Sequence, residues 1–161
     1  MNNALVATIQ HTRNQTLKLV NDLSEAQMTR QPAPQTNHAA WVLGHLLGVD
    51  CGVLNFLGGQ APQLEPNWKE IYGGGSTPTA EATRYKSKLF YLERMADVHP
   101  QILARIKALR AEDLNKPHPD PNRRARFPTS GHHLLFYCVW HETYHAGQLS
   151  AWRRVQGWPA V

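Results

Sequence analysis

Five consecutive residues of this 161-residue chain, His141-Glu142-Thr143-Tyr144-His145, carry its clearest chemistry. On a helix, residues four apart share a face about one turn apart. Two imidazoles so placed can grip one metal ion, and neutral histidine nitrogen suits zinc, nickel, copper or iron. The run is also a literal H-E-x-x-H, the zinc-protease signature. The rest of the chain argues against that class. Such proteases take a third ligand from downstream, yet after His145 the sequence holds no Asp, Glu, His or Cys. Ala151 stands where the extended pattern would place histidine. The third ligand must then come from upstream.

His45 is the best upstream candidate. His38, Trp41, His45, Gly48 and Gly52 form a stripe on one predicted helix, beside its apolar stripe. A glycine inside a helix costs up to roughly 1 kcal/mol relative to alanine, so close packing or a cavity over a metal should offset it. Either reading fits Gly48 and Gly52. His38 lies near the helix start, where it would cap the helix or support a ligand. His132 and His133 read as surface or cap residues. His11, His99 and His118 have no partner at ligand spacing.

Other residues fall on the same faces. Glu142 is placed for a general base or for an interhelix ion pair. Gln148 shares the face of His141 and His145 and could bond a ligand imidazole or a substrate, or serve as a packed amide. Cys138, three residues before His141, would close the site as a fourth ligand or pack as a small apolar group. Trp41 and Trp152 would line the pocket or belong to the core.

Four helical segments must position these residues, and no stretch alternates as a strand. The first spans about Asn3 to Leu23, with a core stripe of Leu5, Ile9, Thr12, Thr16, Leu19 and Leu23. The second runs from near Asn37 to Leu57, capped by Thr36 or Asn37 and ending at Gly58-Gly59. The third opens at Thr77-Pro78 and extends to about Leu114, with a kink or break expected near His99 because Pro100 follows it. The fourth starts at Thr129 or Ser130 and ends at Gln156-Gly157. Four amphipathic helices imply an all-α, four-helix bundle within one domain, 1–161. The connections 24–36, 58–77 and 115–128 exceed ordinary helix–helix links, so at least one can cross the bundle.

Composition narrows the class. Hydrophobic residues at 42% and charged residues at 18% fit a globular chain and not a disordered one. No apolar run approaches the roughly 20 residues that cross a bilayer, and Met1 to Gln10 lacks a signal-peptide pattern, so neither a membrane partner nor export is expected and the cytoplasm is the default location. Cys51 and Cys138 fit buried free thiols there. The net charge of +5 is spread along the chain except at Arg123, Arg124 and Arg126. No nucleic-acid motif accompanies that cluster, so it suggests at most an anion contact.

Two segments resemble a known family. Asn37-His-Ala-Ala-Trp-Val-Leu-Gly-His45-Leu-Leu is similar to the second helix of DinB-like, or YfiT-like, metalloproteins. His141-Glu-Thr-Tyr-His145-Ala-Gly-Gln148-Leu149, with Arg153-Arg154 and Gly157-Trp158-Pro159, is similar to their last helix and tail. The resemblance implies an up-up-down-down four-helix bundle, often a homodimer. It implies zinc or nickel on one histidine of the second helix and two of the fourth, matching His45, His141 and His145. Many members carry a further histidine where this chain has Tyr137. Three histidines leave a coordination position open, the pattern of catalytic and not structural zinc. Relatives that transfer low-molecular-weight thiols make a metal-dependent thiol transferase acting on a small electrophile the first expectation. A metal-dependent hydrolase of a small amide or ester, and a non-catalytic metal- or ligand-binding bundle with a stress-related role, are the alternatives.

Overall fold

Helix α1 (Asn2–Asn21) buries Ile9, Thr12, Thr16 and Leu19 on one stripe, as the periodicity predicts, and Arg13 with them. The computed structural model describes residues 2–159 and 161. Helix α2 (Ala39–Phe56) is apolar around its circumference, the signature of a helix surrounded by protein. It is the one helix among the described residues long and apolar enough to span a membrane, and 67% of that stretch is buried inside the protein.

The crossover after α2 holds a short helix that periodicity misses, α3 (Trp68–Tyr72). Helix α4 (Lys88–Ala108) begins later than expected. Ser87, not Thr77, is its N-cap, accepting from the backbone N–H of Phe90. Residues 77–87 instead run irregularly beside α2, where the Thr79 carbonyl accepts a hydrogen bond from His38. Pro100 does not break α4. The carbonyl it leaves free belongs to Ala96, and both residues face solvent, where water can satisfy that oxygen. The helix ends at Ala108, short of Leu114, because Leu109 and Arg110 are extended and Asp113 caps a new helix, α5 (Ala111–Asn115), through the Arg110 N–H.

The last rod is α6 (Ser130–Leu135), a π-helical turn (Phe136–His141) and α7 (Glu142–Val155). Thr129 caps it. A π turn closes hydrogen bonds five residues apart and so rotates less per residue than an α-helix.

Side-chain pairings fix the helix directions. Arg13 meets Glu142 and Asp22 meets Arg153, so α1 and α7 run parallel. His45 lies beside His141 and Asn37 beside Gln148, so α2 opposes α7. Lys88, at the start of α4, reaches the carbonyls of Asn21 and Leu23, and Arg105, near its end, reaches the Leu57 carbonyl. Helix α4 therefore opposes α1 and follows α2. The order is up-down-down-up, which corrects the expected up-up-down-down. One long crossover makes it possible, carrying the chain from the end of α2 back to the start of α4, while the segment after α4 meets the final rod at the same end of the bundle. The architecture is an all-α helical bundle. Its core divides into a cluster around Leu43, Leu47, Tyr91 and Trp152 and a cluster around Ile9, Leu54, Ile102 and Leu134.

Candidate metal centre

The expected ligands converge. The His141 Nε2 atom lies 3.2 Å from Nε2 of His45 and 3.3 Å from Nε2 of His145. Ligand atoms of all three histidines fall within 4.8 Å of one another. Nitrogens bound at about 2.0–2.1 Å to a tetrahedral ion sit roughly 3.3 Å apart. The donor set therefore fits a divalent transition-metal cation.

Two of the rings are oriented by the other nitrogen. His45 Nδ1–H donates to the Tyr72 carbonyl at 2.6 Å. His145 Nδ1–H donates to Oε1 of Gln148 at 2.9 Å, and the Asn37 amide donates to the same oxygen at 3.1 Å. Both pairings turn a bare Nε2 lone pair toward His141. A proton on His141 Nε2 could serve only one of them, whereas a shared cation would suit all three nitrogens. His141 Nδ1 is buried without a partner among the described residues. Burial, followed by the neighbouring histidines, lowers His141 to about 3 and His145 to about 4, and burial lowers His45 as well. All three rings are thus neutral, ligating imidazoles near pH 7.

Local sequence explains the placement. Gly44 lets the Tyr72 ring lie on α2, since a Cβ there would come within 2.2 Å of it. The Trp68 indole donates to the Gly44 carbonyl at 3.1 Å, and a Cβ on Gly48 would stand 3.1 Å from the same indole nitrogen. These glycines dock α3, and α3 brings the Tyr72 carbonyl to His45. Gly52 serves the other purpose, with open space above it. Trp41 stacks on His45 at 4.9 Å and donates to Ser76, so it walls the centre. Trp152 does not. It donates to the Arg30 carbonyl and packs against Trp158.

Glu142 takes the ion-pair place. Its two oxygens accept from Arg13 Nε at 2.7 Å and Nη2 at 3.2 Å, and it is 2% exposed. Arg13 also pairs with Asp50 at 2.8 Å. The ion pair is one of the two roles that the spacing offered Glu142, general base being the other. Gln148 is the imidazole partner described above. Cys138 is a buried free thiol whose ionisation burial pushes up, and it packs in the core. His38 caps α2, accepting from Trp41 N–H at Nδ1.

A cavity of about 910 Å³ opens beside His45. Val49, Gly52, Val53, Phe56, Trp68 and Tyr137 give it an apolar lining, and His118, His133 and Arg123 close part of its wall. His118 and His133 were expected to be isolated or exposed. Instead both are buried, 3.0 Å apart, beside Phe56. Their separation of 15 residues across a proline-rich loop carries no periodic signal that could have paired them.

Fold and site together define a metal-binding helical bundle. The profile of the DinB superfamily matches residues 8–149, and the chain belongs to that superfamily. No curated protein matches the chain closely enough to lend it a substrate.

Proposed function

We propose that the protein is a metal-dependent transferase that joins the sulfur of a low-molecular-weight thiol to an electrophilic carbon of a small substrate. The observation that carries this reading is the convergence of the bare Nε2 atoms of His45 and His145 on His141. His45, His141 and His145 would hold a zinc or nickel ion, which when bound would favour the thiolate form of a sulfur ligand. Tyr72 and Gln148 keep two imidazoles in the ligating tautomer. Trp41 shields one side of the centre from water. The apolar lining beside His45 accepts the organic part of the substrate. As the new S–C bond forms, the thiol proton passes to solvent or to the leaving group. The occupation of Glu142 by Arg13 weighs against hydrolysis driven by that carboxylate.

The protein is further proposed to pair with a second copy. Support comes from the exposed row of Trp140 and Tyr144, stacked at 5.6 Å, with exposed Leu135 beyond it.

Elemental analysis of the parent beside His45→Ala and His141→Ala tests the centre. About one divalent ion per chain in the parent, lost in both variants, is expected. Unchanged metal in His45→Ala removes α2 from the coordination shell. Consumption of thiol together with an electrophile such as a chloronitrobenzene, dependent on added zinc or nickel, supports the transferase. Ester or amide turnover without thiol supports a hydrolase, and metal binding without turnover supports a binding protein.

A further inference from the structure

The far wall of the cavity holds a hydrogen-bond donor that nothing among the described residues uses. The backbone N–H of Asp120 donates to Nδ1 of His118 at 3.1 Å. The Asp120 carbonyl lies 3.2 Å from the same Nδ1, but a proton there would meet the amide hydrogen aimed at it, so the His118 proton is assigned to Nε2, which donates to Nδ1 of His133 at 3.0 Å. That leaves the His133 proton on Nε2. Phe56 stacks on the His133 ring at 4.1 Å and 11°, holding its plane. His133 lines the cavity, and its Nε2–H has no partner among the described residues. The two rings are joined to each other, so they are not a second pair of metal ligands.

The surroundings favour an anion. Arg123 lines the same wall close enough to disfavour a charge on His133, and Lys69 lines the cavity with no carboxylate within 4.0 Å among the described residues. The acids there are engaged. Glu65 holds Lys86, and Asp120 faces Arg123 at 3.7 Å while its side chain accepts from Asn122 N–H.

The π turn brings this donor and the metal centre into one groove. Eight residues of regular α-helix would leave His133 about 80° off the face of His141. The slower winding over Phe136–His141 removes much of that offset, and Tyr137 between them lines the same cavity. Along the rod the two histidines stand about 12 Å apart, at about 1.5 Å per residue.

We propose that the cavity binds an elongated small molecule whose carboxylate accepts from His133 Nε2–H beside Arg123, while its opposite end, about 12 Å away along the rod, reaches the His45–His141–His145 centre. His118 is a positioning residue that fixes the His133 tautomer. The identity of the distant end rests on the metal reading above, whereas the carboxylate contact does not.

The test uses mercaptopropanoate, mercaptooctanoate and mercaptoundecanoate beside the mercaptoalcohols of the same lengths. Binding to the full chain is read from tryptophan fluorescence, to which Trp68 on the cavity wall contributes, with and without added zinc. The longest acid should bind roughly tenfold tighter than its alcohol, the worth of a charge-assisted hydrogen bond. The preference should shrink to parity in His133→Phe, which keeps the stacking on Phe56. It should largely survive in His133→Gln, whose amide offers a donor near the place of Nε2, and weaken in His118→Phe. The shortest pair should be indifferent to residue 133. An acid preference in zinc-free protein that fails to strengthen with zinc supports the carboxylate contact and overturns only the metal reading. Parity of the longest acid and alcohol under both conditions overturns the proposal, as does an equal loss of short and long thiols in His133→Phe.

Discussion

The Tyr72 carbonyl stands 2.6 Å from Nδ1 of His45, so a five-residue helix in a crossover sets the orientation of a candidate metal ligand. Glycine makes that contact possible. Gly44→Ala, whose new Cβ would strike the Tyr72 ring, should displace α3 and lower zinc affinity roughly 10–100-fold, the usual effect of losing a partner behind a ligand. Gly52→Ala meets open space and should leave affinity unchanged while stabilising the helix by up to about 1 kcal/mol. Competition with a chromogenic chelator measures both. Equal affinities for Gly44→Ala and the parent would cut the link between α3 and the metal.

Gln148→Leu removes the acceptor for His145 Nδ1–H. Zinc affinity should fall roughly tenfold or more. The imidazole also becomes free to turn, so the fall should exceed any loss of thermal stability. An unchanged chelator competition would make Gln148 a packing residue only.

Glu142→Gln separates the two roles open to that carboxylate. Removing one partner of a buried ion pair costs about 3 kcal/mol or more, because Arg13 stays buried with less compensation. Urea unfolding should show this loss, while metal content and turnover per folded chain stay near the parent values. Full stability with lost turnover would return Glu142 to the chemistry.

Metal-free protein should lose stability as pH falls. Burial, the largest cause in each case, lowers His38, His133 and His145 to about 4 and His99 and His141 to about 3. Between those values and the ordinary 6.5 the unfolded chain binds more protons than the folded one, so stability rises with pH and levels off above about 7. Asp50 works in the opposite sense, since burial raises it to about 6 and the folded state holds its proton more tightly from there down to 3.8. The five histidines outnumber it. Urea midpoints at pH 5, 6, 7 and 8 give the profile, and a midpoint that does not drop below pH 6.5 would contradict it.

Trp140→Glu places a charge in the exposed aromatic row of the last rod. Sedimentation should show a dimer for the parent and a monomer for the variant. A parent that sediments as a monomer at high concentration removes the proposed pairing.

The parts legible in the sequence were those with short-range signals. The His141–His145 spacing, the Thr129 cap and the buried stripes of α1 and α2 all follow from helical periodicity, and the structure keeps them. His45 was reachable because its neighbours Gly48 and Gly52 broke an otherwise strong helix former. What escaped depended on contacts between distant segments. Helix α3 is too short to show a period, and its docking uses Gly44, whose role is visible only beside Tyr72. His38 competed with the better capping types Thr36 and Asn37 and prevailed because Thr79 holds its ring from across a loop. Thr77-Pro78 has good helix-start chemistry, but residues 77–87 pack along α2 instead. Arg13 is one of the cations spread along the chain, and only the fold encloses it between Asp50 and Glu142.

The widened turn at Phe136–His141 also separates two things that a uniform helix would lock together. Deleting one residue within it would restore ordinary winding and leave the two ends on nearly the same faces, because seven steps of about 100° fall about 20° short of two full turns. His141 and His145, at and beyond its end, would keep their mutual spacing, and His133 would stay on the cavity side, drawn about 1.5 Å nearer along the rod. The length of substrate accommodated can thus differ among relatives through a single-residue change, with the cation-holding pair and the anion donor both left facing the cavity.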